Sequence, residues 1–262
     1  MFEKLYRKNL NCYISFCIIQ LVKGIKYRLK RVRVYPQRRI IMDVRELAVQ
    51  KKRELKGFLT VGTKYELKDA HDLSVAYTPG VAEPCLRIKD NEAESFELTC
   101  RSNMVAVVSD GTRVLGLGDI GAAAALPVME GKSLLFKKFG DVDCIPLVVD
   151  TKDADTLINT VKLLQKNFAG INLEDISSPK CYEIENRLKE ELEIPVFHDD
   201  QHGTAIACLA GVKGALRLVK KDLATAKIVV NGAGAAGANI ARLLYLAGAR
   251  DITLLVSSGV LH

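Results

Sequence analysis

Two pairs of adjacent acidic residues are the part of this sequence whose types and spacing could do chemistry. Glu174 and Asp175 follow one apolar run, and Asp199 and Asp200 follow the next one along the chain. Four carboxylates in one place repel each other unless a cation neutralises them or some are protonated. Such oxygen ligands suit a hard divalent ion, Mg²⁺ or Mn²⁺. The alternative is that each pair is a helix N-terminal acid favoured by the helix dipole.

The segment that joins the two acidic pairs has the pattern of a strand–helix–strand crossover. Strands are expected at 169–173 and 194–197, and between them Ser178 should cap a helix with Pro179 at its first position. The buried stripe of that helix is expected to be Cys181, Ile184, Leu188 and Leu192. Strands joined by such a crossover are parallel, so their carboxyl ends share one edge of the sheet. Open α/β sheets bind ligands in the crevice at that edge, which is why we favour the metal site.

The alternation of strands and helices predicts an α/β fold with a largely parallel sheet. Residues 104–109 have the pattern of a buried strand, Asp110 and Gly111 of a hairpin turn, and 113–117 of its antiparallel partner. The helical run that follows is expected to be interrupted at Pro127. The other expected elements are strands at 144–149, 227–230 and 251–256, and helices at 153–167, 209–219 and 238–247.

A glycine pattern typical of dinucleotide-binding loops, G-x-G-x-x-G, occurs twice, at 116–121 and 232–237. The second copy lies between an apolar strand and an alanine-rich helix, which is the context that a phosphate-binding turn requires. The first copy leads into the run that contains Pro127. We therefore predict that the second loop binds the cofactor, through Gly232, Ala233, Gly234, Ala235, Ala236 and Gly237. The alternative is a small-residue turn that serves packing only.

Charge and composition exclude other classes of function. The net charge is +7, but residues 1–41 contain eleven Lys and Arg against one acid, so the basic excess does not belong to the folded body. With 6% aromatic residues and no Trp, stacking surfaces for nucleic acid are sparse. The apolar run at 10–22 is shorter than the roughly 20 residues that a membrane span needs. We expect no nucleic-acid partner and no membrane association.

The seven cysteines are scattered, odd in number and without a C-x-x-C pair, which argues against a disulfide framework or a zinc ribbon. A reducing cytoplasm fits this pattern best. Residues 1–41 are expected to be an extension outside the fold, with Met42 as the functional start.

Five ordered motifs make residues 42–250 resemble a short, bacterial-type malic enzyme. They are 77–81 (YTPGV), 109–121 (SDGTRVLGLGDIG), 126–132 (LPVMEGK), 172–175 (NLED) and 197–204 (FHDDQHGT). The resemblance implies an N-terminal substrate and metal domain at 42–202 and the first part of a Rossmann-type domain at 203–262. It also implies oxidative decarboxylation of malate to pyruvate and CO₂, with NAD or NADP and Mg²⁺ or Mn²⁺ as cofactors and a homodimer or higher homo-oligomer as the assembly.

The same resemblance assigns roles to single residues. Glu174, Asp175 and Asp200 match the metal ligands, and Lys132 matches the general base. Asp199 matches the carboxylate beside that lysine, Tyr77 the general acid and Arg113 the anchor of the substrate carboxylate. A lysine acts as a base only when its surroundings lower its pKa toward neutrality.

The sequence departs from the family near its end. Residues 255–258 (LVSS) lack the acid expected to bind the adenosine ribose, so the choice between NAD and NADP stays open. Later substrate asparagines and further nucleotide strands have no counterpart, so we expect the chain to be truncated at His262. Two alternatives therefore stay open: a redox-free decarboxylase of oxaloacetate, and an inactive remnant that binds metal or pairs with an intact subunit.

Overall fold

The computed structural model describes residues 43–261. The expectations about residues 1–41, Met42 and His262 lie outside the described residues. Within 43–261, no helix has the length and apolar character needed to cross a bilayer.

The helices that matter for the site alternate with strands. In chain order the α-helices of the described residues are α1 (Val44–Leu55), α2 (Ala70–Ala76), α3 (Ala82–Asp90), α4 (Ser95–Leu98), α5 (Ala122–Gly140), α6 (Ala154–Leu164), α7 (Lys180–Glu191), α8 (Thr204–Leu218) and α9 (Ala235–Leu246). The strands are β1 (Met104–Ser109), β2 (Asp143–Val148), β3 (Gly170–Leu173), β4 (Val196–His198), β5 (Lys227–Asn231), β6 (Asp251–Val256) and β7 (Gly259–Val260).

The first four strands form one parallel sheet in the order β2-β1-β3-β4. Leu173, at the end of β3, is in register with Val108 of β1 and with His198 of β4. The expected β3–α7–β4 crossover is confirmed, and both acidic pairs follow strand ends at the same edge. A second sheet, β5-β6-β7, has a parallel β5–β6 pair, to which the short β7 adds antiparallel. The chain therefore has the predicted α/β fold.

Two separate clusters of buried side chains support these sheets. The first lies under β1, β3 and β4 and includes the buried face of α7, with Cys181, Ile184 and Leu188 as predicted. Leu192, expected in that stripe, is only partly buried beside it. The second cluster packs α8 and α9 against β5 and includes Val230 and Leu244. The carboxyl ends of the strands in both sheets are thus fixed by apolar packing on either side.

The first three α-helices differ from the other α-helices of residues 43–261 because none of them buries a residue. Asp43 caps α1 by accepting a hydrogen bond from the backbone N–H of Arg45. Lys52 of α1 pairs with Glu130 of α5 at 2.5 Å, which ties this region to the body. Thirteen large apolar side chains between residues 43 and 90 nevertheless remain exposed.

Three local predictions are wrong. Residues 113–117 form no strand, because the backbone N–H of Arg113 bonds to the carbonyl of Asp175 and leaves only an isolated bridge between Val114 and Gly118. Strand β1 pairs instead with β2 and β3, so the hairpin does not exist.

The two other errors concern helix α5 and helix α7. Helix α5 continues through Pro127, because Ala125, Met129 and Ser133 are buried on one face and this packing outweighs one missing backbone hydrogen bond. Ser178 does not cap α7, which begins at Lys180 with Pro179 in the capping position and no side-chain cap.

Candidate functional site

One cleft of about 880 Å³ lies where the carboxyl ends of the two sheets face each other. Its lining comes from the loops after β1, β3, β4 and β5, together with one face of α5. Among the lining residues are Arg113, Lys132, Glu174, Asp175, Asp199, Asp200, Gly232 and Gly237. The structure therefore brings the predicted lysine, arginine, carboxylates and second glycine loop into one space.

Lys132 lies at the centre of the carboxylate group. It projects from α5, and its Nζ lies 2.7 Å from Asp199 Oδ2 and 3.0 Å from Glu174 Oε1. Glu174 is only 4% exposed and also accepts a hydrogen bond from Asn172 at 2.8 Å. The lysine is thus held by two carboxylates that come from different strand ends.

The ionisation of this pair differs from the sequence-based expectation. Burial acts to lower the pKa of Lys132, but the charges of Glu174 and Asp199 outweigh it and raise that pKa above its ordinary value. Burial raises the pKa of Glu174 to about 8, against the opposing effect of Lys132. The expected lowering of the pKa of Lys132 is therefore absent, because two carboxylates contact the lysine.

The three predicted metal ligands lie in the same cleft. The backbone N–H of Asp175 donates to Asp200 Oδ2 at 3.0 Å, so these two residues adjoin. Asp175 has a left-handed backbone with φ of 54°, and its buried Oδ2 has no hydrogen-bond partner among the described residues. Burial, followed by the charge of Asp200, raises the pKa of Asp175 to about 6.

These observations test whether the carboxylates suit a cation. As they stand, no three His, Cys, Asp or Glu side chains of residues 43–261 are arranged to hold a metal ion. The donor set of Glu174, Asp175 and Asp200 is nevertheless entirely carboxylate oxygen, which hard divalent ions prefer. A buried carboxylate oxygen without a partner is costly unless something binds it. The chemistry of these residues therefore fits a divalent cation.

The second acidic pair lies in a π-helical turn, Asp199–Gly203, that joins β4 to α8. Such turns are rare and occur often at functional sites. A side chain at Gly203 would put its Cβ 1.9 Å from Asp199 Oδ1, so only glycine leaves room for the carboxylate that holds Lys132. His202 of the turn contacts the buried Glu185 of α7 at 2.6 Å. The turn is thereby fixed from the side opposite the cleft.

Arg113 reaches the cleft because the loop after β1 is tied to the loop after β3. Thr112 Oγ1 accepts a hydrogen bond from the backbone of Ser177, and the buried Asp110 accepts bonds from Thr112 and Lys180. The Arg113 side chain itself is exposed at the lip of the cleft. This position suits a group that anchors a substrate carboxylate.

Tyr77 is the predicted site residue that the structure does not bring to the others. It follows α2 directly and is 68% exposed. It does not line the cleft formed by the described residues of one chain. The general-acid role therefore remains a prediction.

Both glycine loops line the cleft, although only the second was predicted to do so. In the second loop, β5 leads into α9, and a Cβ at Gly237 would lie 1.7 Å from the carbonyl oxygen of Gly232. This close packing is the reason such a turn needs glycine at its third position. Five of the six predicted loop residues line the cleft, and Ala233 does not.

The contacts that hold the turn after β4 leave little trace in the sequence pattern. Glu185 is an acidic residue buried beside the apolar face of α7, a position that periodicity alone does not reveal. Asn239 of α9 donates to Gln201 at 3.0 Å, but an asparagine in an alanine-rich helix gives no signal of its partner. The one sequence feature that points to the Glu185 contact is the second histidine of 198–203 (HDDQHG), His202, which needs a polar partner.

Comparison with known proteins agrees with this geometry. Residues 59–154 match the family model "Malic enzyme, N-terminal domain", and residues 201–253 match "Malic enzyme, NAD binding domain". The bifunctional malic/malolactic enzyme of Bacillus subtilis is 52% identical over 221 residues, which are 84% of this chain and 54% of the relative. The NADP-dependent malic enzyme of Rhizobium meliloti is 50% identical over 79% of this chain and 27% of its own length.

Solved structures give the same result. The NAD-dependent malic enzyme of Thermotoga maritima has a TM-score of 0.79 and 46% identity, over 82% of this chain and 57% of that protein. The malic enzyme of Entamoeba histolytica has a TM-score of 0.81 and 42% identity, over 84% of this chain and 47% of that protein. The chain therefore spans about half the length of these structures. With both family models, this identity and this fold in agreement, the chain belongs to the malic enzyme family.

Proposed function

We propose that this protein catalyses the oxidative decarboxylation of malate to pyruvate and CO₂ with reduction of NAD or NADP. The observation that carries the proposal is the shared cleft, in which Lys132 and its carboxylates face the glycine loop at 232–237. A hydroxy acid held between these two groups would have its C2 hydroxyl near a proton acceptor and its C2 hydrogen near a nicotinamide.

Lys132 would take the proton of the C2 hydroxyl as hydride leaves. Glu174 and Asp199 raise the pKa of this lysine, whereas burial acts to lower it. A cation held by Glu174 would offset the effect of that carboxylate, so burial would then shift the pKa of Lys132 back toward the range in which the amine can accept a proton. Asp199 would remain as the hydrogen-bond partner that orients the amine. Arg113, exposed at the lip of the cleft, would bind a substrate carboxylate.

A divalent cation, Mg²⁺ or Mn²⁺, is part of the proposal. Glu174, Asp175 and Asp200 would hold it, and the buried, unpartnered Asp175 Oδ2 is the structural support for that assignment. When bound, the ion supplies Lewis-acid stabilisation of negative charge that develops on the substrate oxygens. The chain's own contribution is to hold the carboxylates beside Lys132, with Glu174 and Asp175 buried from bulk water.

The nicotinamide cofactor would bind with its pyrophosphate at the glycine loop and the N-terminus of α9. Both an NAD-dependent and an NADP-dependent malic enzyme match this chain. Strand β6 ends at Val256, without a carboxylate that would bind a ribose hydroxyl or repel a 2′-phosphate. The proposal therefore covers NAD and NADP alike.

We also propose that the protein is a homodimer located in the cytoplasm. The exposed apolar side chains of residues 43–90 form a surface that water does not favour and that a second copy could cover. Tyr77 lies on this surface, so its proposed role as general acid depends on the assembled protein.

The five cysteines of the described residues are all free thiols, which agrees with a reducing compartment. We infer no nucleic-acid or membrane partner.

The test is the rise in absorbance of the reduced nicotinamide when malate, MnCl₂ and either NAD or NADP are added. We expect a rise that disappears with EDTA and falls by at least about a thousand-fold in Lys132→Ala, since the general base is lost. Lys213→Ala, in the exposed part of α8, is the matched control and should leave the rate unchanged. An unchanged rate in Lys132→Ala would remove the lysine from this role. Pyruvate formed from oxaloacetate without nicotinamide, and none from malate, would instead indicate a redox-free decarboxylase.

A further inference from the structure

Four consecutive side chains of the turn Asp199–Gly203 bind four different parts of the molecule. In order, the contacts are Asp199 with Lys132 of α5, Asp200 with the backbone of Asp175, Gln201 with Asn239 of α9, and His202 with Glu185 of α7. The Asp199 and Asp200 contacts belong to the cleft, and the His202 contact lies outside it. The Gln201 contact alone of the four leads to the helix that follows the glycine loop.

Gln201 depends on that contact. It is 3% exposed, its Oε1 accepts a hydrogen bond from Asn239 Nδ2 at 3.0 Å, and its Nε2 has no partner among the described residues. The same Asn239 nitrogen donates to the carbonyl of Ala235 at 3.0 Å. Ala235 is the first residue of α9 and lines the cleft beside the glycine loop. The side-chain amide of Asn239 therefore joins the first turn of α9 to Gln201, the residue next to Asp200.

We propose that Asn239 is a positioning residue that couples the glycine loop to the Lys132–carboxylate group through Gln201. The proposal rests on the proposed function, because it assumes that a dinucleotide binds at the loop and a cation at the carboxylates. A buried amide oxygen that loses its donor is costly, so any shift of α9 must carry Gln201 with it or break this bond. Asp199 and Asp200 adjoin Gln201 in the turn, so their carboxylates respond to the position of α9.

By linkage, a dinucleotide that orders α9 then strengthens cation binding, and the cation strengthens dinucleotide binding by the same factor. The side chain of Asn239 forms hydrogen bonds with Gln201 and with the carbonyl of Ala235, and none with the lysine or the carboxylates. Its replacement should weaken the coupling more than it weakens either binding event alone.

The first experiment needs no ligand. Hydrogen exchange of the full chain, read by mass spectrometry over peptides that contain residues 199–203, compares wild type with Asn239→Ala and Arg242→Ala. Arg242 is exposed on the same helix and borders the same small pocket as Asn239 and His202, but its side chain has no hydrogen bond or ion pair among the described residues. It is therefore the control for proximity to the turn without the amide contact. We expect exchange in the turn to rise on the order of ten-fold in Asn239→Ala only. Unchanged exchange would overturn the positioning role.

The second experiment measures the coupling by titration calorimetry. MnCl₂ is titrated into each protein alone and with saturating NADP or NAD, and the ratio of the two affinities is the coupling factor. We expect a factor of about five or more in wild type and Arg242→Ala, and a factor near one in Asn239→Ala. Gln201→Met should lose the same coupling, and the double variant should lose no more than either single one.

The outcomes separate the two proposals. An equal coupling factor in wild type and Asn239→Ala overturns the inference while leaving the proposed function intact. Wild type that binds neither MnCl₂ nor a dinucleotide contradicts the proposed function and the coupling together, whereas the exchange experiment still decides whether Asn239 holds the turn.

Discussion

At the scale of single residues, the site depends on side chains that hold one another in place. Lys132 is fixed by two carboxylates, and each carboxylate has a second constraint: Asn172 bonds Glu174, and Gly203 leaves the space that Asp199 occupies. A positioned proton acceptor requires this kind of support, because a lysine side chain is otherwise free to rotate into solvent. The glycine is therefore as necessary to the geometry as the charged groups.

Gly203→Ala tests that constraint. Because the added Cβ would lie 1.9 Å from Asp199 Oδ1, we expect the carboxylate to rotate away from Lys132 and malate turnover to fall at least about ten-fold. Gly211→Ala in α8 is the control, since nothing lies within 4 Å of a Cβ there. The control should keep wild-type turnover and gain roughly 0.5–1 kcal/mol in free energy of unfolding. Steady-state kinetics and urea denaturation distinguish the two, and equal turnover would show that Asp199 tolerates the displacement.

At the scale of elements, the geometry follows from strand ends. Strands β3 and β4 are parallel neighbours, so the residues that follow them lie close together at the same edge of the sheet. Strand β5 belongs to the other sheet, and its loop reaches the same cleft because α8 and α9 pack around β5. The close approach of α9 to the end of β5 then depends on Gly237.

Gly237→Ala should disturb that approach. Its Cβ would meet the backbone carbonyl of Gly232 at 1.7 Å, and a backbone atom cannot rotate away as a side chain can. We expect the affinity for the dinucleotide to fall at least about ten-fold. The affinity is measured by titration with the reduced dinucleotide, whose nicotinamide fluorescence reports binding. Gly214→Ala in α8, where a Cβ meets nothing within 4 Å, should bind as wild type. Binding that is equal in both variants would place the dinucleotide elsewhere, with the loop at 116–121 as the next candidate.

At the scale of the whole molecule, the helices α1 to α3 are the ones that leave their apolar side chains exposed. Helices α1 to α3 contain apolar side chains at helical spacing, yet they bury none of them within one chain. An amphipathic helix gains most of its stability by covering its apolar face, which is why we propose that a second copy packs against these helices.

Disruption of that surface should change the assembly state. We expect the wild type to sediment as a dimer at micromolar concentration and Leu86→Lys to sediment as a monomer, because Leu86 is 54% exposed on α3. Leu163→Lys is the control, since Leu163 is 84% exposed on α6, outside residues 43–90. A monomeric wild type, or a dimer in both variants, would contradict a role for this surface in dimerisation.

By itself, the sequence determined the α/β class, the β3–α7–β4 crossover and the two acidic pairs at one sheet edge. These features rest on hydrophobic periodicity and on chain direction, which are local properties. The glycine pattern also singled out the loop at 232–237, and the family resemblance singled out Lys132.

Only the tertiary structure decided the rest. Residues 113–117 look like a strand, but their backbone bonds to Asp175 from a distant loop. The pKa of Lys132 is raised rather than lowered, because it depends on carboxylates that the fold brings within 3.0 Å. The Gln201–Asn239 bond and the position of Tyr77 outside the cleft likewise depend on how elements pack, and packing is set by contacts between residues far apart in the chain.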